Sequence, residues 1–172
     1  MNSDNPFELF GLPETFRIDP ARLATARNDL QSRHHPDRHA GGDDAARRKA
    51  AAASASINDA WETLRDDRRR AAWLLERRGS PLEGEGSTIH DPVILMEQME
   101  LHERLAAAGG GGDAIDEVER IGDEVCALRR KSVEAIAAAF EGDDLETARS
   151  QTLRLRFYDR LLEEVDRLLD EG

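Results

Sequence analysis

Residues 19–37 read DPARLATARNDLQSRHHPD, and this stretch predicts a helix that leads into a rigid corner. Asp19 is a favourable N-cap, and Pro20 suits the first position of a helix. Pro36 disfavours helical geometry at the residue before it, so the helix should end there. The His-Pro-Asp sequence at 35–37 is therefore expected on an exposed loop, where recognition residues are common.

Helices are predicted on both sides of this corner. Upstream, a short helix is expected over 6–10. Downstream, a long helix begins at about residue 44 and is interrupted near Asp66, and its continuation ends at about Arg78. The residues from 1 to 78 are thus predicted to form a helical hairpin with a short first helix. The helix before the corner carries three basic residues: Arg22, Arg27 and Arg33.

The composition of 79–91 marks a linker, because this segment holds three Gly, two Ser and one Pro. Three longer helices follow it, over about 92–108, 113–140 and 144–170, and only short loops join them. Short loops favour antiparallel neighbours, so we predict an antiparallel three-helix bundle over 92–171. The chain as a whole is predicted to be all-α.

Each helix of this bundle has a stripe of apolar residues at helical spacing, which predicts the side that faces the core. The stripes of the first, middle and last helices are respectively Ile94, Leu101 and Leu105; Val118, Ile121, Val125, Leu128 and Ile136; and Leu155, Leu162, Val165 and Leu169.

Some apolar residues of the bundle fall outside these stripes. On the first helix they are Leu95, Met96 and Met99, with Glu100 nearby. On the last helix Phe157 lies roughly 100° or more from the centre of the stripe. These residues either widen the buried faces or form an exposed contact patch, for which Met is well suited. The sequence pattern alone leaves both interpretations open.

The net charge of −12 is unevenly distributed along the chain. Residues 1–79 hold 14 basic and 13 acidic side chains, whereas 80–172 hold 10 and 23. The excess of acidic residues argues against nucleic-acid binding, because phosphate contacts require clustered Lys and Arg. Two electrostatically different halves are consistent with two different binding surfaces, and equally with surface charge that serves solubility alone.

Cysteine content and hydropathy restrict the class of protein further. Cys126 is the only cysteine, which excludes an internal disulfide and a cysteine-based zinc site within one chain. The sequence has no leader pattern in 1–20 and no apolar run of 18 residues, so we expect neither export nor a membrane span. The single cysteine is compatible with a reducing cytosol, but it does not by itself fix the compartment.

The corner itself holds a cluster of histidine and aspartate that resembles a metal site or an acid–base pair. Adjacent histidines on a helix point in different directions, and no second group supplies the missing ligands. Acid–base catalysis would need a nucleophile and a pocket, for which this loop has few polar side chains. We therefore expect no metal, no cofactor and no enzymatic activity from this cluster: His34, His35, Asp37 and His39.

Three separated motifs give the chain a family resemblance. In order, FELFGLP at 7–13, HHPDR at 34–38 and INDAWETLRD at 57–66 resemble a J-domain, the module that engages ATPase chaperones of the DnaK class. The later LMEQMEL at 95–101 and LRLRF at 153–157 narrow the resemblance to the HscB/Jac1 family, which are co-chaperones of iron–sulfur cluster assembly.

This resemblance implies a co-chaperone with two binding surfaces and no enzymatic activity of its own, expected to act as a monomer. The surface implied to bind an HscA/DnaK-class chaperone and stimulate its ATPase comprises His35, Pro36, Asp37, Arg22, Arg33 and Arg38. The surface implied to bind the iron–sulfur scaffold protein IscU comprises Leu95, Met96, Met99, Glu100 and Phe157.

The sequence departs from the family pattern in two ways. Arg38 follows the His-Pro-Asp sequence where many members have Lys, which keeps the charge but changes the geometry of its hydrogen bonds. Neither an N-terminal cysteine pair nor a mitochondrial presequence is recognisable, which favours a cytoplasmic protein of the bacterial type. An alternative stays open: a general J-domain co-chaperone that delivers other or unfolded clients to a DnaK-class chaperone.

Overall fold

The computed structural model describes residues 5–34, 44–82, 92–108 and 114–171, and all regular structure within these ranges is helical. This confirms the predicted all-α fold class. None of the described helices is both long and apolar enough to cross a membrane. In chain order the helices are α1 (Pro6–Phe10), α2 (Pro20–His34), α3 (Asp44–Arg65), α4 (Asp67–Arg77), α5 (Pro92–Ala108), α6 (Ala114–Glu141) and α7 (Leu145–Glu171).

The chain divides into two compact units, one ending at Leu74 and the other beginning at Leu75. The predicted linker over 79–91 is described only as far as Leu82. Within the second unit, Arg149 Nε donates a hydrogen bond to the Pro81 carbonyl at 3.4 Å, so this part of the linker contacts the bundle.

Side-chain caps set the beginnings of α1 and α2. Asn5 Oδ1 accepts hydrogen bonds from two backbone N–H groups of the first turn of α1, at 3.0 and 3.3 Å. Asp19 Oδ1 accepts one from the N–H of Ala21 at 2.9 Å, as expected of an N-cap. Gly11 ends α1 at a φ of 63°, a left-handed conformation in which glycine is the least strained residue.

The first unit buries one apolar core between α1, α2, α3 and α4. The ring of Phe7 packs against that of Trp73, with 5.1 Å between the ring centroids, so the N-terminal helix is fixed to α4. The other buried residues of this core include Phe10, Phe16, Leu23, Ile57, Leu64, Ala71 and Leu74.

The bend between α3 and α4 is held by Asp66 and Arg70. Asp66 Oδ1 accepts a hydrogen bond from Arg69 N–H at 2.7 Å, which caps α4. The buried Arg70 guanidinium donates to the carbonyls of Phe16 and Leu64, at 2.7 and 2.5 Å, and pairs with the Asp67 carboxylate. A buried charge requires such partners, so this network stabilises the bend.

The second unit is a three-helix bundle in which α6 and α7 are antiparallel. Arg129 on α6 pairs with Asp159 on α7 at 2.8 Å. Seven residues earlier on α6, a Cβ on Gly122 would lie only 3.0 Å from Val165 Cγ1. As the position on α6 decreases, its neighbour on α7 increases, which is the antiparallel arrangement. The missing side chain of Gly122 lets the two helices approach closely at this point.

The third helix of the bundle, α5, runs parallel to α7. Glu97 contacts Tyr158, and His102 lies 3.8 Å from the Glu164 carboxylate, so contacts advance along both helices together. The buried side chains of the bundle include most of the predicted stripes: Ile94, Leu101, Leu105, Val118, Ile121, Val125, Ile136, Leu155 and Val165.

The predicted core stripe of α7 is partly wrong. Leu162 and Leu169 are only half-buried, whereas Tyr158 and Leu161 are buried. A single straight stripe describes contact with one neighbouring helix, whereas the second half of α7 contacts both α6 and α5. The buried side therefore turns toward α5 along the length of the helix.

Candidate interaction surfaces

The apolar residues of α5 that lie outside its core stripe are exposed. Met96 is 71% and Met99 62% exposed, and Leu95 is 39% exposed, while Ile94 and Leu101 are buried. For these three residues, the interpretation that α5 buries a wide face is therefore wrong. Such a cluster of exposed apolar side chains on one helix is unusual for a surface without a partner.

Phe157 on α7 lies next to this exposed side of α5. Its half-buried ring meets the ring of His102 edge to face, with 5.7 Å between centroids. His102 follows Met99 by three residues and Leu95 by seven, so the three lie on the same side of α5. We refer to Leu95, Met96, Met99 and Phe157 as the α5–α7 patch.

The opposite side of α5 is anchored in the bundle by a buried tyrosine. Tyr158 is buried, and its hydroxyl donates a hydrogen bond to the Glu97 carboxylate. Burial, followed by this hydrogen bond and the charge of Glu97, raises the pKa of Tyr158 above its usual range. On the α6 side, Arg104 pairs with Glu124 at 2.9 Å. These contacts fix the rotation of α5 and therefore fix which residues it exposes.

Val93 and His102 lie next to the α5–α7 patch but were not among the binding residues predicted from the sequence. Val93 is 66% exposed and precedes Met96 by three residues and Glu100 by seven, while Glu100 is also exposed. Helical spacing could have identified Val93 as a member of the same side. The contact of His102 with Phe157 depends on how α5 packs against α7, which a linear pattern does not give.

The second candidate surface lies on α2, where the predicted basic residues separate into two groups. Arg22 and Arg33 are both exposed and are eleven residues apart, which places them on one side of the helix. Arg27 lies elsewhere: its guanidinium stacks over the ring of Trp61 on α3 at 4.4 Å. Arg27 therefore braces α2 against α3, and Arg22 and Arg33 are the arginines of α2 open to a partner.

Four of the predicted chaperone-binding residues lie outside the described residues: His35, Pro36, Asp37 and Arg38. Their roles stay predictions from the sequence. Within the part of the chain that the structure describes, no group of three or more His, Cys, Asp or Glu side chains is arranged to hold a metal ion.

Known proteins resemble this chain along almost its entire length. The family model described as the HSCB C-terminal oligomerisation domain matches residues 90–166. The "Co-chaperone protein HscB homolog" of Aeromonas salmonicida is 41% identical over 170 residues, which cover 96% of each chain. The chain belongs to the HscB co-chaperone family.

Solved structures of HscB proteins share its fold. Chaperone HscB from Vibrio cholerae superposes with a TM-score of 0.86 at 35% identity, covering 97% of this chain and 98% of that one. The Jac1 co-chaperone from Saccharomyces cerevisiae has a TM-score of 0.76 at 22% identity, covering 97% and 95%, and this second match supports the fold alone. The relatives are named co-chaperones, which agrees with the absence of a recognisable enzyme motif in the sequence.

Proposed function

We propose that this HscB-family protein is a cytoplasmic co-chaperone of iron–sulfur cluster assembly that couples two partners. The α5–α7 patch and Glu100 bind an IscU-type scaffold. The corner at 35–38, with Arg22 and Arg33, binds an HscA/DnaK-class chaperone and stimulates its ATPase. Joining both sites in one chain raises the effective concentration of each partner for the other, so neither affinity needs to be high.

The exposure of Met96 and Met99 beside Phe157 supports scaffold binding by the second unit. Flexible thioethers next to an aromatic ring are typical of binding surfaces, because they bury a large apolar area against a partner. The anchoring of Glu97 by Tyr158 keeps these side chains directed to solvent in the free protein. A surface that is ordered before binding loses less entropy when it binds.

The order of the J-domain motifs and the exposure of Arg22 and Arg33 support chaperone binding by the first unit. Arginine forms bidentate hydrogen bonds with carboxylates, so exposed arginines on one side of α2 suit an acidic surface. The role of the His-Pro-Asp sequence is inferred from the family resemblance, because in J-domains this sequence is the element that stimulates the ATPase of the chaperone.

The experiment that tests the chaperone half is the substitution Asp37→Asn, with ATP turnover of the chaperone measured at increasing concentrations of the protein. We expect stimulation to be lost because the essential carboxylate becomes a neutral amide. Scaffold binding should be unchanged, since the proposed scaffold residues belong to the second unit. Asp123→Asn on the exposed surface of α6 is the matched control and should stimulate normally. Normal stimulation by Asp37→Asn contradicts the proposed mechanism.

A second measurement separates the proposed scaffold partner from general clients. We expect the protein to capture an IscU-type scaffold and to show no preference for chemically denatured proteins. Capture of denatured proteins without capture of the scaffold would instead support a general J-domain co-chaperone.

A further inference from the structure

An open pocket of about 350 Å³ lies between the end of α1 and the exposed side of α2. Leu12 and the buried Phe10 form its α1 side, and small residues of α2, including Ala21 and Ala26, form the other. Arg22 and Asp29 also line it. The pocket is therefore continuous with the side of α2 that carries the proposed chaperone-binding arginines.

The α1 side of the pocket is held in place before any partner binds. Gly11 N–H donates to the Glu8 carbonyl at 3.2 Å, and Leu12 N–H donates to the Phe7 carbonyl at 2.9 Å. These bonds close the end of α1 and fix Leu12. On the α2 side, the Thr25 hydroxyl donates to its own helix, to the Ala21 carbonyl at 2.9 Å. The hydroxyl is thus already satisfied, and the inner surface of the pocket favours an apolar group.

Charges at the two ends of the pocket define the orientation of what enters it. Arg22 and Asp29 are seven residues apart, which is about 10 Å along the helix axis. Both are exposed, and neither side chain makes a hydrogen bond or ion pair with another described residue. Ala26 lies between them on the same side of α2. A group that fits this pocket would therefore present an apolar part to the centre of the pocket, a carboxylate to Arg22 and a hydrogen-bond donor to Asp29.

We infer that this pocket receives an aliphatic side chain from the surface of the ATPase chaperone, next to a carboxylate that pairs with Arg22. The inference rests on the proposed chaperone partner and adds a contact that the sequence did not indicate. The charge pattern favours this occupant, because Arg33 extends the same side of α2 and also requires an acidic partner surface. The pocket is too open to bury most of a small molecule, which favours a protein side chain within a larger interface.

The test fills the pocket without changing its charges. Ala26→Leu and Thr25→Leu each place a branched side chain where the partner side chain would enter. Ala24→Leu is the matched control, because Ala24 is exposed and lies about 200° around α2 from Ala26. Binding of the full-length protein to an HscA-type chaperone is measured by calorimetry, together with ATP turnover over a range of protein concentrations.

We expect both pocket variants to bind the chaperone about tenfold more weakly, as when a central contact is lost. The maximal stimulation should be retained at saturating concentration, because the corner at 35–38 is untouched. The control should match the wild type in both measurements. Circular dichroism melting and scaffold binding of each variant establish that it is folded.

The possible outcomes distinguish a failure of the pocket assignment from a failure of the proposed function. If folded Ala26→Leu and Thr25→Leu bind as the control does, the pocket assignment is overturned while the chaperone interaction stands. If the wild-type protein neither binds the chaperone nor stimulates it, the proposed function and the pocket assignment fall together. A loss of maximal stimulation with unchanged affinity would also overturn the pocket assignment, since it would place the residues in ATPase activation.

Discussion

The helices α2 and α5 are similar in length, with 15 and 17 residues, yet they expose opposite chemistry. The exposed side of α2 carries Arg22 and Asp29 at a pocket whose α2 side is lined by small residues, and Arg33 lies further along the same side. The exposed side of α5 carries Met96 and Met99 next to Phe157 on α7. Charged surfaces mainly give orientation and association rate, whereas apolar anchors give most of the binding energy. The two proposed partners should therefore respond differently to truncation and to salt.

Truncation of the α5–α7 patch should change the affinity for one partner relative to the other more than any other substitution considered. The double substitution Met96→Ala with Phe157→Ala removes two apolar anchors, and we expect scaffold affinity to fall about a hundredfold, or about 3 kcal/mol. Chaperone binding should be unchanged, because it is assigned to the first unit. Isothermal titration calorimetry with each partner measures both affinities.

The control for this truncation is Ile115→Ala, which removes an exposed apolar side chain of α6 outside the α5–α7 patch. We expect it to leave scaffold affinity within about twofold of the wild type. Thermal melting of the double variant shows whether the half-buried Phe157 also contributes to folding, so titrations are run well below its melting temperature. Equal losses of affinity in the control and the double variant would contradict the assignment of the patch.

Raising the salt concentration should also affect the two affinities differently, but by a smaller factor than the truncation. Between about 0.05 and 0.3 M salt the Debye length falls below about 10 Å, which weakens attraction between exposed charges. We expect chaperone affinity to fall about fivefold over this range and scaffold affinity to change less than about twofold. Arg22→Ala should reduce the dependence of chaperone binding on salt. Equal salt dependence for both partners would remove the physical distinction between the surfaces.

Local signals in the sequence were sufficient to predict most of the helix boundaries. Asn5, Asp19 and Asp66 each accept a hydrogen bond from the first turn of the helix that follows, and capping residues are recognisable without tertiary information. The pattern also placed Met96 outside the core stripe of its own helix, but it left both a wide buried face and an exposed patch open, and the structure decides for exposure.

Features that depend on two distant segments were not predictable. Arg27 belongs to the same arginine-rich helix as Arg22, and only the packing of α2 against α3 shows that it stacks on Trp61. The choice between Leu161 and Leu162 as the core residue of α7 likewise depends on the position of α5. The corner at 35–37 is a prediction of the sequence, and its residues lie outside the described ranges.

The smallest expected effect concerns the anchor that fixes the exposed side of α5. Tyr158 is the only tyrosine in the chain, and burial together with the Glu97 contact raises its pKa. Because the folded state favours the protonated hydroxyl, its contribution to the free energy of unfolding is fully present below the unfolded pKa of about 10. That contribution is lost as the pH rises further, toward the folded pKa.

Tyr158→Phe should lower the free energy of unfolding by about 1 kcal/mol at neutral pH, since it removes one hydrogen bond. It should also remove the part of the alkaline loss of stability that Tyr158 causes. Urea unfolding of both proteins at about pH 8 and about pH 11 measures these effects, and tyrosinate absorbance follows the ionisation of the single tyrosine. Ionisation of Tyr158 at its ordinary pKa in the folded protein would show that the anchor is open to solvent. The fixed rotation of α5, on which the contrast with α2 depends, would then lose its support.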